Sequence, residues 1–358
     1  MKQLSVWMLV LVMMGCATRT RTVEPVKTSV PLSAEARERV AEGVRLHDQG
    51  DYPGAIRKYE EALALSPSNH LIFYEMSYAY FKMGEYQKSL DAARQAATYQ
   101  SDMLPAIYMQ IGSCLDGLAR PQEAVAAYEE GLRLASDDHL LHYNLAVTYR
   151  GLKQKEQAMA HLKKAMLSRP THPSSHLALA TLYAEDGYRI PALLAYCRFL
   201  LLEPDSPRSG QAAMAVQQLI SAGVSKQNSG EISIFVSTDE PKYDGDFIAL
   251  STTLSLASAL RYASDKEPKQ PIEYIVGELE TMFSIMGSIS EKENKEGFAW
   301  QYYAPFFIEL EKKNFVEPFV YHIFRLADDP GIQAWLEEHP SEIDQMVKWA
   351  VAYEFQTE

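Results

Sequence analysis

Cysteine is scarce: the 358 residues contain three, Cys16, Cys114 and Cys197, so no disulfide framework and no C-x-x-C pair exists. The G-x-S-x-G, H-E-x-x-H and G-x-x-x-x-G-K-[ST] patterns are missing too, which removes the readable signatures of a nucleophile elbow, a zinc protease helix and a phosphate loop. Positive charge is thin where it would be needed for nucleic acid. Residues 231–358 hold 10 Lys and Arg against 24 Asp and Glu, a balance of −14, whereas residues 1–230 hold 24 against 23, a balance of +1. A phosphate backbone needs a basic stripe, and the only strongly charged region is acidic. Long apolar runs are confined to the first residues.

That run explains an address. Lys2 precedes an apolar stretch from Leu4 to Met14, too short to span a bilayer as a mature helix, and Gly15-Cys16 follows at once. Residues 1–15 read as a secretion signal. Met13-Met14-Gly15-Cys16 resembles the bacterial lipobox, which implies cleavage before Cys16, acylation of its sulfur and a lipid-anchored protein in the bacterial envelope. Ala17 after the cysteine resembles lipoproteins sorted to the outer membrane. Residues 16–33, rich in Thr, Val and Pro and without a period, read as a tether; Thr18 to Ser33 extended at ~3.5 Å per residue would reach about 55 Å.

From residue 34 the chain repeats itself. Ala55, Ser89, Ala124, Ala158 and Ala192 stand 34 or 35 residues apart, and four residues after each come Tyr59, Ala93, Tyr128, Leu162 and Tyr196. Small residues recur at Ala62, Ala96, Gly131 and Ala165, with Phe199 breaking the series. A second column runs Leu46, Tyr80, Leu115, Tyr149, Tyr183, while Gly50, Gly84 and Gly187 mark turns and Pro67, Pro170 and Pro204 close units. Two antiparallel helices pack closely only where small residues let the backbones approach and large ones fill the adjoining holes. The pattern resembles the tetratricopeptide repeat, and it covers about Ala36 to Pro204. The implied fold is all-α: a solenoid of about five helix pairs over residues 34–224, capped by a helix from Arg208 to Gly223, then a polar link at 225–230. Cys114 and Cys197 fall two repeats apart on helices of opposite type and read as packing residues rather than a bridge.

Residues 231–358 resemble no named family. Ile232, Ile234 and Val236 alternate like a short strand with no visible partner. Phe247, Leu250, Leu254; Ile272, Ile275, Leu279, Met282, Met286; Trp300, Tyr303, Phe307, Leu310; and Ile343, Met346, Val347, Ala350 then trace helical faces. An acidic helical domain, docked on the repeats or joined to them, is expected.

Few residues there or elsewhere suggest a reactive centre. Asp244-Gly245-Asp246 lacks the remaining ligands of a calcium loop and reads as a turn opening a helix. His139, His142, His172 and His176 recur one repeat apart, and four imidazoles could hold zinc or nickel, but His142 and His176 fall where these repeats favour a large aromatic. His322 reads as an ordinary core or surface histidine. No metal or cofactor is expected.

In the family resembled, the first helix of each pair lines a concave groove that holds extended peptides. The corresponding residues here are Tyr74, Tyr78, Phe81, Met109, Tyr143, Asn144, Val147 and Arg150. Asn144 matches the central asparagine of the family's carboxylate clamp, but Met109, Ser113, Ser174 and Ala178 supply neither a second asparagine nor a cation. An aromatic groove for a protein or peptide partner is what remains. The leading expectation is an interaction scaffold without chemistry; a pilotin-like assembly factor, or an unrecognised enzyme in residues 231–358, are its rivals.

Overall fold

The computed structural model describes residues 27–226, 231–237, 239–263, 271–292 and 295–355. The secretion signal and Cys16 lie outside them. Five helix pairs follow one another: α1 (Ala34–Asp48) with α2 (Tyr52–Leu65), α3 (His70–Lys82) with α4 (Tyr86–Ala97), α5 (Leu104–Gly117) with α6 (Pro121–Leu134), α7 (His139–Gly151) with α8 (Lys155–Ser168), and α9 (Pro173–Glu185) with α10 (Arg189–Leu202). Helix α11 (Ser209–Ser221) comes next. The fold is thus a mostly helical, tetratricopeptide-like solenoid of paired helices with a further helical region behind it.

Local chemistry sets the helix ends. Ser33, Asp51, Asn69 and Asp138 cap α1, α2, α3 and α7 by accepting hydrogen bonds from first-turn N–H groups. Each pair turns through one left-handed residue. Gly50, Gly84 and Gly187 take it in three pairs, and Ala119 and Lys153 take it in the other two at φ 56° and 60°, where a side chain costs roughly 1 kcal/mol. The repeating columns are core: Ala55, Ser89, Ala124, Ala158 and Ala192 are fully buried, as are Tyr59, Ala93, Tyr128 and Leu162 within a percent.

Two compact units divide the chain, Met1–Leu134 and Ala135–Glu358. In the first, three pairs stack through α2 against α3 and α4 against α5. Residues 27–33, expected to be tether, are instead fastened to it. Strand β1 (Lys27–Thr28) pairs in parallel with β2 (Tyr99–Gln100), the Val30 amide donates to Ser68 O at 2.9 Å, and Asn69 Nδ2 donates to Val30 O at 2.7 Å. Extended backbone finds its hydrogen bonds in the loops between pairs, so it needs no period of its own.

In the second unit the last two pairs share one hydrophobic core with the C-terminal region. Strand β3 (Val224–Lys226) pairs antiparallel with β4 (Ile232–Ile234), so Ser225 and Lys226, expected in the polar link, are strand, and β4 has the partner that the sequence did not show. Helices α12 (Ile248–Ala263), α13 (Pro271–Lys292), α14 (Ala304–Lys312), α15 (Val316–Ile323), α16 (Pro330–Glu338) and α17 (Pro340–Ala352) complete the unit. A π-helical turn, Ala299–Tyr303, leads into α14 just before Pro305, which has no N–H to continue a regular ladder. The compact division therefore falls at 134/135 and not at 225–230. Helix α10 is the physical reason: its residues from Arg189 to Leu201 are all buried, because α9 and α11 cover part of it and α12, α15 and the π turn cover more. A helix apolar all round needs neighbours all round.

Candidate partner-binding surface

The first helices of the pairs carry the residues singled out for a groove. In the first unit, α3 buries Ile72, Ser77 and Ala79 completely. Tyr74, Phe81 and, on α5, Met109 are half-buried, and Tyr78 is 37% exposed. The Tyr78 ring lies 5.2 Å from the His47 ring at the end of α1, and Lys82 Nζ stands 5.3 Å over its face. Phe81 rests on Tyr86 at 5.3 Å. Phe73, Met76 and Tyr80 of the same helix are half-buried as well. Helix α3 is therefore apolar on two sides without being enclosed on both.

In the second unit the surface lies on α7. Tyr143 meets the His172 ring edge-on at 5.1 Å, Asn144 is half-buried, and Val147 is 48% exposed. Arg150 Nη2 donates to Glu185 of α9 at 2.7 Å, both side chains being about half exposed. Such a pair contributes little energy.

The histidines take packing positions. His142 Nε2 donates to Ser136 O at 3.0 Å, which leaves its Nδ1 to accept from His161 Nδ1 at 2.9 Å. His176 repeats the arrangement one unit later, donating to Pro170 O at 2.9 Å and accepting from the Tyr303 hydroxyl at 2.9 Å. Both are buried in the slots where large aromatics were expected. Among the described residues no group of three or more His, Cys, Asp or Glu side chains is arranged to hold a metal ion. Cys114 and Cys197 are buried free thiols, and burial pushes Cys114 up to about 11.

Sequence reasoning missed one cluster. The His47 ring lies 5.1 Å from Tyr52 and 5.2 Å from Tyr78, His47 Nδ1 is 3.5 Å from Asp48 Oδ1, and Glu75, between Tyr74 and Tyr78 on α3, makes no ion pair among the described residues. Burial first, then the Asp48 charge, raises the Glu75 carboxyl above its ordinary range. Polar residues on an apolar stripe, Glu75 between Tyr74 and Tyr78, were the available signal.

Comparison with known proteins agrees with this architecture. The family model for the TPR repeat matches residues 43–84, and that for the tetratricopeptide repeat matches 105–138 and 140–172. The chain is 29% identical over 128 residues to small glutamine-rich tetratricopeptide repeat-containing protein 2 of Mycosarcoma maydis, a stretch that is 36% of each protein. It is 36% identical over 99 residues to human tetratricopeptide repeat protein 28, covering 28% of this chain and 4% of that one. The matched part is thus a minor fraction of both relatives. A solved structure of a thermophilic tetratricopeptide protein from Thermus thermophilus aligns at a TM-score of 0.44 and 22% identity over 51% of this chain and 99% of that chain. The chain thus carries tetratricopeptide repeats at residues 43–84, 105–138 and 140–172.

Proposed function

We propose that the protein is a lipid-anchored scaffold whose repeats hold another protein through the first-helix surface, in a complex at the bacterial outer membrane. The observation that carries this reading is the exposure of apolar side chains on first helices within each unit: Tyr78 with half-buried Tyr74 and Phe81 on α3, and, separately, Val147 with half-buried Tyr143 on α7. Exposed aromatic anchors of this kind are what interfaces use. The repeats of this family bind protein and peptide partners. Anchoring rests on the apolar run ending at Gly15-Cys16. Because the segment fastened to the repeats begins at Lys27, the reach from an acylated Cys16 to the repeats is at most about 40 Å, at ~3.5 Å per residue. The reading is of binding rather than catalysis.

A photo-crosslinking residue placed at Val147 in the membrane-bound protein tests both halves. We expect one discrete adduct from Val147, none from exposed Gln87 on α4, and loss of labelled palmitate together with the membrane-bound adduct in Cys16→Ser. Equal adducts from both positions contradict the surface assignment, and palmitate retained in Cys16→Ser contradicts the anchor.

A further inference from the structure

Helix α12 turns hydroxyls inward and leucines outward. Ser251, Ser255 and Ser258 are buried, and each hydroxyl is satisfied there: Ser251 donates to Glu240 Oε2 at 2.9 Å, Ser255 to Ser251 O at 3.1 Å and Ser258 to Ile220 O at 3.0 Å. Leu250 and Leu254 are buried beside them, yet Leu256 and Leu260 are 52% and 69% exposed. A single exposed leucine is ordinary. Two of them one turn apart, on the wall of a groove, mark a face suited to being covered.

That groove lies between α12 and α13, which pack against each other. It has a volume of about 650 Å³ and runs from Thr253 to Arg261 on α12 and from Glu273 to Ile285 on α13, stretches of ~12 Å and ~18 Å at a helical rise of ~1.5 Å per residue. Leu256 and Leu260 line it from α12, and Tyr274 and Ile285 from α13. Ala257, Gly277 and Thr281 put small side chains between them, and a Cβ built on Gly277 meets nothing within 4 Å. Small residues facing open space let a further helix approach closely, with large apolar residues on either side to receive it.

Charge decides what suits the groove. Among the described residues that line it the only cation is Arg261, whose Nη2 donates to both carboxylate oxygens of buried Glu278, at 2.7 and 2.6 Å. Glu273 is exposed at the same end and makes no ion pair among the described residues, and Glu280, also exposed, lies two turns further along α13. Residues 231–358 hold 24 acidic against 10 basic side chains, so a second copy of this chain would bring like charge to the face. We propose that the groove between α12 and α13 receives a basic amphipathic helix of about three turns from another protein. Its apolar stripe lies on Leu256, Leu260 and Ile285, and its lysines or arginines stand beside Glu273 and Glu280. This site is built by other helices than the repeat surface and does not rest on that reading.

Fluorescence anisotropy of the purified full chain with three labelled peptides, each of about fourteen residues, tests it. The first carries leucines at every third or fourth position with lysines flanking that stripe, the second has the same composition in scrambled order, and the third has glutamate for lysine. The first should bind about tenfold more tightly than either of the others. Gly277→Leu fills the groove and favours the helix, so it should abolish binding with a melting temperature no lower than that of wild type. Leu260→Lys, at a position already exposed, should also abolish it, and decides the matter if Gly277→Leu melts early. Glu273→Gln with Glu280→Gln should bring the lysine and glutamate peptides within about threefold of each other. No binding by any peptide, equal binding of the striped and scrambled peptides, a glutamate peptide that binds as well as the lysine one, or wild-type binding by Leu260→Lys overturns the inference. So does a dimer of the chain in light scattering that Leu260→Lys converts to monomer, because the occupant is then a second copy.

Discussion

His322 sits in the core with its Nε2 donating to Leu201 O at 3.3 Å and its Nδ1 without a partner among the described residues. Burial, opposed by that backbone bond, lowers it from 6.5 to about 4. Burial likewise lowers His161 and His172 to about 4 and His176 to about 3. Each of these rings is neutral when folded, whereas the unfolded chain takes up a proton below pH 6.5. Their contribution is therefore complete above pH 6.5 and is lost as pH falls toward 4, at about 1.4 kcal/mol per pH unit for each group titrating in that window. Urea unfolding from pH 8 to 4.5 should show the decline, and His322→Leu should remove about one group's share of the slope while changing stability at pH 8 by no more than about 1 kcal/mol. An unaltered slope would mean that His322 is not held neutral by the fold. The slots of His142 and His176 were legible from the repeat register. Their partners were not, because Ser136 and Pro170 lie in turns and Tyr303 lies 127 residues from His176.

Asp244-Gly245-Asp246 shows what an element needs beyond its local signal. The sequence marks a turn that opens a helix, and Asp246 Oδ1 does accept from the Ile248 amide at 3.1 Å, at the start of α12. What it hides is that the turn fastens the C-terminal region to the last repeats. Asp244 is buried, with Lys163 Nζ at 2.5 Å and the Tyr183 hydroxyl at 2.6 Å; the Tyr188 hydroxyl donates to Gly245 O, and Trp300 Nε1 donates to Asp246 O at 3.1 Å. These partners are 54 to 81 residues away, beyond any local pattern. Gly297 is required by the same contact, because at φ 100° a side chain there would drive into the Asp244 backbone. Asp244→Ala should cost about 3 kcal/mol, since it strands an ammonium and a buried hydroxyl. Urea denaturation measures it, and a loss below about 1 kcal/mol would show that the turn is incidental. Helix α10 has almost no polar face from Ile190 to Leu202, interrupted by Arg198. Arg198 is fully buried, its guanidinium stacked 4.5 Å from the Phe306 ring and 5.1 Å from Phe355. That enclosure required helices whose places a repeat pattern does not specify.

Across the whole molecule, five helix pairs and a following helix were readable because each pair must solve the same packing problem with the same small and large residues. Where each compact unit ends was not readable, because it depends on how α10 and the C-terminal helices share a core. The fastening of residues 27–33 was equally hidden, since two-residue strands leave no periodic trace. The groove positions were assigned by register alone, whereas the contact of the His47 ring with Tyr52 and Tyr78 could be seen only once side chains were placed. On the proposed reading, the open first-helix surface is where a partner sits. Crosslinking recovery of that partner from membranes, compared between wild type and the variant Tyr78→Ala with Phe81→Ala, tests this most directly. Each ring should contribute about 2 kcal/mol to binding, so recovery should be lost while the stability of the chain falls by no more than about 2 kcal/mol. Recovery at the wild-type level from a folded double variant would contradict the account.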